Sequence, residues 1–169
     1  MFSKLFCKPL SGSVPEDEFL SEIALSKKNI WWTAINNPDG SLTFVKNKPG
    51  AQFFMASLDK FPAIEKRVKE LYPDVVVKNS YVTKCMPGYH MIPHKDANRY
   101  TAIIMPLGNN KGRISFYMFG IKVYTHTYTG PTLTRVDVEH SAENDSADIR
   151  YSITIEVPGS YFENFKSKK

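Results

Sequence analysis

Cysteine is scarce in this chain. Only Cys7 and Cys85 occur among 169 residues, too few for a disulfide framework and without the close pairing of a zinc motif. A disulfide-stapled secreted scaffold is therefore excluded, and the plain expectation is a reducing, cytoplasmic setting. Long apolar runs are missing too. Nothing approaches the roughly 20 residues that span a bilayer, and Lys4 and Lys8 interrupt the first ten residues where a secretory leader needs a continuous apolar core. There is no internal repeat, low-complexity tract or linker, so residues 1–169 are expected to form one domain. Charge of one sign is only modestly in excess. The net value is +5, part of it in Lys166-Ser167-Lys168-Lys169. That favours solubility first and attraction to an anionic partner second, and is thin support for nucleic acid.

What is present is ordinary globular composition, 42% apolar and 23% charged, arranged in two regimes. Residues 1–74 form a support region of helices and short strands. A helix is expected over residues 13–28, with Ser13 as cap, Pro15 in the first turn and Glu16, Asp17 and Glu18 at the positive end of its dipole. Phe19, Leu20, Ile23 and Ala24 supply its apolar stripe. The turn cluster Asn36-Asn37-Pro38-Asp39-Gly40 separates two strand-like runs, Ile30 to Ile35 and Leu42 to Val45. Of Trp31 and Trp32, one indole belongs in the core and the other at the surface. A second helix is expected from Asp59 to Tyr72, with Ile64, Val68 and Leu71 on one face, stopped by Pro73.

From residue 75 to 157 the pattern is of closely spaced strands: Val75–Lys84, Tyr100–Leu107, Arg113–Phe119, Lys122–Tyr128, Thr132–Val138 and Ile149–Val157. Turn signals such as Gly108-Asn109-Asn110-Lys111-Gly112 divide them, which argues for a sandwich or jelly roll rather than a parallel sheet. The last strand is informative. Arg150, Ser152, Thr154 and Glu156 share one face, while Ile149, Ile153, Ile155 and Val157 share the other. The apolar face suits packing under the helices and the polar face a barrel interior.

In an extended segment His94 and Asp96 would face one side, and a histidine from across the fold, best His140, would complete a two-His, one-carboxylate set that leaves metal positions open. Ten residues beyond His140 stands Arg150, with Ser152 on the same face, a fork suited to a carboxylate. In this order and spacing the set His94-x-Asp96, His140 and Arg150-x-Ser152 resembles the Fe(II)- and 2-oxoglutarate-dependent dioxygenases, over roughly residues 75–157. The resemblance implies a mostly β fold with flanking N-terminal helices, a double-stranded β-helix (jelly roll, cupin-like). It implies Fe(II) held by His94, Asp96 and His140, and 2-oxoglutarate as co-substrate with its C5 carboxylate on Arg150 and Ser152. It also implies O2 as oxidant, and a substrate hydroxylated as succinate and CO2 leave. Asn79-Ser80-Tyr81 resembles the N-x-Y that precedes H-x-D in several subfamilies, which makes Tyr81 a further co-substrate contact. The arginine at 150 is unlike the lysine of collagen-type prolyl 4-hydroxylases, although the His94-Lys95-Asp96 segment looks similar.

Two other readings stay open. A cupin-like metal enzyme would use the triad without 2-oxoglutarate and would have no use for Arg150 and Ser152. A non-catalytic jelly-roll module would keep the histidines as structural groups. Of the rival residues, His90 is expected in a turn role, His126 as a packed or surface histidine, and Cys85 as a small core residue. Arg99 is either a contact for an anionic substrate group or a solvated loop cation. Asp137 and Glu139 are expected on the outer face. With few insertions around the strands the site is expected to be open, with Trp31, Trp32, Tyr89 and Tyr100 as candidates for its mouth. That suits a small molecule, an amino acid or a residue on a protein.

Overall fold

The computed structural model describes residues 3–37, 42–46, 48–96 and 99–164. Pro38, Asp39 and Gly40 of the expected turn and the basic tail after residue 164 lie outside these residues. A short helix α1 (Ser3–Phe6) leads into β1 (Cys7–Pro9). Then come α2 (Glu16–Leu25), β2 (Trp32–Asn36), β3 (Leu42–Lys46), β4 (Phe53–Ser57) and α3 (Pro62–Leu71). The second half is strands: β5 (Val76–Cys85), β6 (Thr101–Leu107), β7 (Arg113–Met118), β8 (Ile121–Thr127), β9 (Thr132–Arg135), β10 (His140–Glu143) and β11 (Arg150–Val157), closed by α4 (Ser160–Asn164). No helix among the described residues is long and apolar enough to cross a membrane.

The strands form two sheets, and every pairing is antiparallel. The large sheet runs β1-β9-β6-β11-β5-β4-β2-β3 and the small one β10-β7-β8. This is the expected jelly-roll arrangement, mostly β with helices on the N-terminal side. The support region also contributes four strands to the large sheet.

Alternation along the central strands sorts the residues into two layers. Ile103, Met105 and Leu107 of β6 and Ile153, Ile155 and Val157 of β11 pack with Phe19 and Ile23 of α2 and Ile64 and Val68 of α3. Ala102 and Ile104 point the other way, into the space between the sheets, where they meet Ile114, Phe116, Tyr128 and Val136. Phe6 of α1 closes that layer by stacking on Phe116, ring centroids 4.6 Å apart. Burying an aliphatic or aromatic side chain contributes roughly 1.5–3 kcal/mol each, which makes these two layers the main support of the fold.

The helices are shorter than their sequence patterns. α2 begins at Glu16 with Pro15, not Ser13, in the capping position, and no side chain caps it. Its end is set at Ser26, whose hydroxyl donates to the Ile23 carbonyl at 2.7 Å, and residues 28–30 form a separate 3-10 turn. α3 starts at Pro62, because the residues from Leu58 to Lys60 form a 3-10 turn. Trp31 is buried and Trp32 is 45% exposed, as expected of that pair. Thr132 to Val138 is not one strand: β9 stops at Arg135. The amides of Val136 and Asp137 both turn to the Tyr100 carbonyl, so the chain bends before entering the small sheet as β10.

Candidate metal and co-substrate site

His94 stands in the connection between β5 and β6, and His140 opens β10. Their backbones form an isolated antiparallel bridge, with His94 N–H donating to the His140 carbonyl at 2.9 Å and His140 N–H to the His94 carbonyl at 2.8 Å. The segment after His94 is not a strand, so strand parity does not bring Asp96 to its neighbour. Instead the Asp96 amide donates to the Val136 carbonyl at 2.9 Å, which turns the carboxylate back toward the histidines. The three side chains offer ligand atoms that all lie within 4.8 Å of one another. Asp96 Oδ1 lies 3.6 Å from His94 Nε2, and the two imidazole centroids are 4.6 Å apart.

Each imidazole is oriented by its other nitrogen. His94 Nδ1 meets the Ile92 carbonyl at 2.9 Å and His140 Nδ1 the Val138 carbonyl at 2.9 Å. A carbonyl can only accept, so Nδ1 carries the proton and the Nε2 lone pair is left for a metal, the usual arrangement behind a ligating histidine. Burial pushes the His140 pKa down to about 4, and nearby His94 adds to the effect, so this ring is neutral at pH 7. Asp96 is braced likewise. Arg99 donates to its Oδ2 at 2.6 Å, leaving Oδ1 toward the histidines, while the guanidinium lies 5.4 Å from the Tyr81 ring centroid. Two imidazole nitrogens and one carboxylate oxygen, each held from behind, fit a hard-to-borderline divalent ion with positions left open. Arg99 is therefore neither a solvated cation nor a free anion contact.

The same cavity, about 580 Å3, runs from the triad to Arg150, Ser152 and Thr154 of β11, a volume that suits a small ligand. Arg150 is 4% exposed. Its Nη1 donates to the carbonyls of Arg113 and Glu143, both at 3.3 Å, its Cζ lies 5.4 Å from the Tyr128 ring centroid, and its Nε is buried with no partner among the described residues. Ser152 Oγ is 2.7 Å from Thr83 Oγ1 across the β5–β11 pairing. Tyr81, on β5, lines the cavity between the triad and this pair's strand. All six sequence-derived site residues thus face one cavity.

Other expectations sort out more variously. His90 faces outward and pairs with Asp145 at 2.6 Å. His126 packs edge-on against Tyr128, and burial lowers its pKa. Cys85 lines the cavity, but burial raises its thiol to about 11, the profile of an inert core group. Asp137 forms an ion pair with Arg135. The mouth differs from expectation: none of Trp31, Trp32, Tyr89 and Tyr100 lines the cavity, whereas Phe44 and Phe53 do. Strand order decides this, since β4 pairs with β5 and β2 and β3 follow it to the sheet edge, an order that periodicity does not disclose.

Sequence reasoning missed three supporting residues. Thr83 sits beneath Ser152, Tyr128 beneath Arg150, and Gly112, at φ 64°, leaves the space that the Arg150 side chain fills. The only sequence signal for Gly112 was a glycine ending a turn just before a strand.

No protein-family model matches the sequence, and no curated protein is significantly similar to it. Several solved structures match in fold. An oxidoreductase of the 2OG-Fe(II) oxygenase family from Burkholderia pseudomallei is 11% identical with a TM-score of 0.58, over 89% of this chain and 83% of its own. A prolyl hydroxylase from Trichoplax adhaerens, solved with a hypoxia inducible factor peptide, is 15% identical with a TM-score of 0.52, over 93% of this chain and 84% of its own. Escherichia coli YcfD is 13% identical with a TM-score of 0.53; 89% of this chain aligns with it, but only 47% of YcfD's length is spanned. At these identities the likeness is one of architecture. In fold, then, this chain is similar to the Burkholderia oxygenase and the Trichoplax prolyl hydroxylase.

Proposed function

We propose that the protein is a non-heme Fe(II)- and 2-oxoglutarate-dependent dioxygenase that hydroxylates a small molecule, an amino acid or a residue on a protein. The observation that carries this is a single cavity. It holds a braced His94–Asp96–His140 set and, within the same walls, a buried guanidinium with an unpartnered Nε at Arg150. A metal-only cupin or a binding module has no use for that second feature.

His94, Asp96 and His140 would hold Fe(II), and Arg150 with Ser152 would hold the far carboxylate of 2-oxoglutarate. Held by these residues, Fe(II) would supply O2 activation coupled to decarboxylation of 2-oxoglutarate. The chain's own residues orient and shield. The Ile92 and Val138 carbonyls fix the two imidazole planes, and Arg99 fixes Asp96. Arg150, itself buried, offers charge-assisted donors, whose hydrogen bonds are about twice as strong as neutral ones. Met91, Ile104 and Val136 give the cavity apolar walls. Tyr81, which lines the same cavity, would be a further contact for the co-substrate. Cys7 and Cys85 are both free and buried, in keeping with a cytoplasmic location. Nucleic acid is not favoured as substrate by a net charge of +5.

The test is anaerobic titration with Fe(II) and 2-oxoglutarate. A weak visible charge-transfer band that needs both additions is expected, together with succinate formation in air. His94→Ala, Asp96→Ala and His140→Ala should each abolish metal binding, with Mn(II) as an oxygen-stable substitute in calorimetry, while the fold persists. Metal binding with no response to 2-oxoglutarate would instead favour the cupin-like enzyme.

A further inference from the structure

On the opposite face of the large sheet, residues of β5 and β11 that alternate with the cavity-lining ones meet a different environment. Lys84 lies on β5 between Thr83 and Cys85, so its side chain leaves the sheet on the helix side, where Val82 is fully buried. It pairs across the sheet with Tyr151 of β11 and Phe54 of β4. A lysine on the apolar face of an inner strand is unusual, because such a charge is normally exposed or paired. Lys84 forms no ion pair with any of the described residues. Its ammonium sits 4.7 Å from the Trp31 ring centroid and 4.6 Å from that of Phe54, and burial lowers its pKa.

Around it lies a groove of about 760 Å3 between α2 and the sheet. Lys28 and Lys48 bring two more ammonium groups to its rim, Leu20 and Ile23 form an aliphatic wall, and no Asp or Glu among the described residues lines it. We infer that this groove is a second binding site, for a small organic anion with an apolar body. An ammonium group donates and cannot accept, which calls for a carboxylate, sulfonate or phosphate. The Trp31 and Phe54 rings hold Lys84 in place by cation–π contact, so an anion there gains a positioned cation rather than a free one. The aliphatic wall adds affinity only for a ligand that carries hydrocarbon or an aryl ring. The inference is independent of the metal chemistry, since the sheet separates the two sites.

The test uses the full chain without metal, with octanoate, inorganic phosphate and octanol as probes, followed by calorimetry and by the fluorescence of Trp31 in the groove. Saturable octanoate binding is expected, at least tenfold tighter than either phosphate or octanol. Lys84→Met should weaken it at least tenfold. Lys28→Gln, in an exposed turn where folding is not at stake, should weaken it severalfold. His140→Ala should leave it unchanged, which separates this groove from the catalytic cavity. Absence of saturable octanoate binding, equal affinity in folded Lys84→Met, phosphate or octanol binding as tightly as octanoate, or loss of binding in His140→Ala would each overturn the assignment.

Discussion

Gly112 has a φ of 64°, in the left-handed region, and a Cβ built there would collide with Cδ and Nε of Arg150. Both constraints oppose any side chain. Gly112→Ala is therefore expected to shift the Arg150 guanidinium and to cost about 1–3 kcal/mol of stability. It should also weaken 2-oxoglutarate binding with little effect on Mn(II) affinity, which calorimetry with each ligand would separate. Arg150→Ala makes the same point more directly. Removing one side of a buried, charge-assisted contact costs roughly 2–5 kcal/mol, while Ser152→Ala should cost on the order of 0.5–1.5 kcal/mol, or up to about 3 for a bond to a charged group. Arg150→Lys keeps the charge but not the planar fork and should fall between parent and alanine. If Arg150→Ala binds 2-oxoglutarate as tightly as the parent, the co-substrate assignment fails.

Glu143 is a second residue whose surroundings predict a measurable behaviour. Its side chain is only 2% exposed, between Arg113 at 2.8 Å and Lys122 at 3.0 Å. Burial alone would raise its pKa, but hydrogen bonds from Lys122, Ser115, Arg113 and Ser141 outweigh that and hold it near 2, against an ordinary 4.5. A carboxyl depressed in the folded state stabilises fully above its unfolded pKa and ceases to do so as pH falls through the folded value. The contribution should be complete above about pH 4.5 and disappear toward pH 2. Glu143→Gln should lower the urea midpoint at pH 7 and converge with the parent near pH 2. An equal deficit at both pH values would refute the ionic account. The triad, Arg150 and Ser152 could be singled out from sequence because order and spacing along the chain survive without coordinates. Glu143, Gly112 and Arg99 could not, because each acts through a contact that the fold alone creates.

Among the elements, α3 depends on a residue of α2. Glu22 accepts hydrogen bonds from the amides of Ala63 at 3.1 Å and Ile64 at 2.8 Å, capping the α3 N-terminus from 41 residues away. Substituting an effective cap by alanine costs about 0.5–2 kcal/mol. Glu22→Ala should fall in that range by chemical denaturation, and Glu22→Gln, which keeps an acceptor but loses the charge, should lose less. An unchanged midpoint in Glu22→Ala would remove the cap from the account. Long strands such as β6 and β11 were legible: residues 102–107 of β6 are a continuous apolar run, buried throughout, and Arg150–Val157 alternates a polar face with an apolar one. β4 was not. Phe53 and Met55 face the cavity of the candidate metal site and Phe54 the opposite groove, so Phe53-Phe54-Met55 carries no alternation. β1 and β10 are too short for any period to register, at three and four residues.

In the molecule as a whole, the last of the described strands is an inner one. β11 pairs with β6 on one side and β5 on the other, while β1, the first strand, pairs with β9 at the sheet edge. During synthesis the amino end emerges first, so β5 and β6 must wait with a gap between them until residues 150–157 leave the ribosome. Until then the apolar side chains that Ile153, Ile155 and Val157 would cover stay open to water and to chaperones. The nascent protein is thus expected to fold in one late step, rather than strand by strand as it appears. Ribosome-tethered chains ending just before Arg150 should remain as protease-sensitive as unfolded chains, and those extended well past Val157 should become resistant together across the whole sheet. Early resistance in the shorter chains would show that the two halves settle without their central strand.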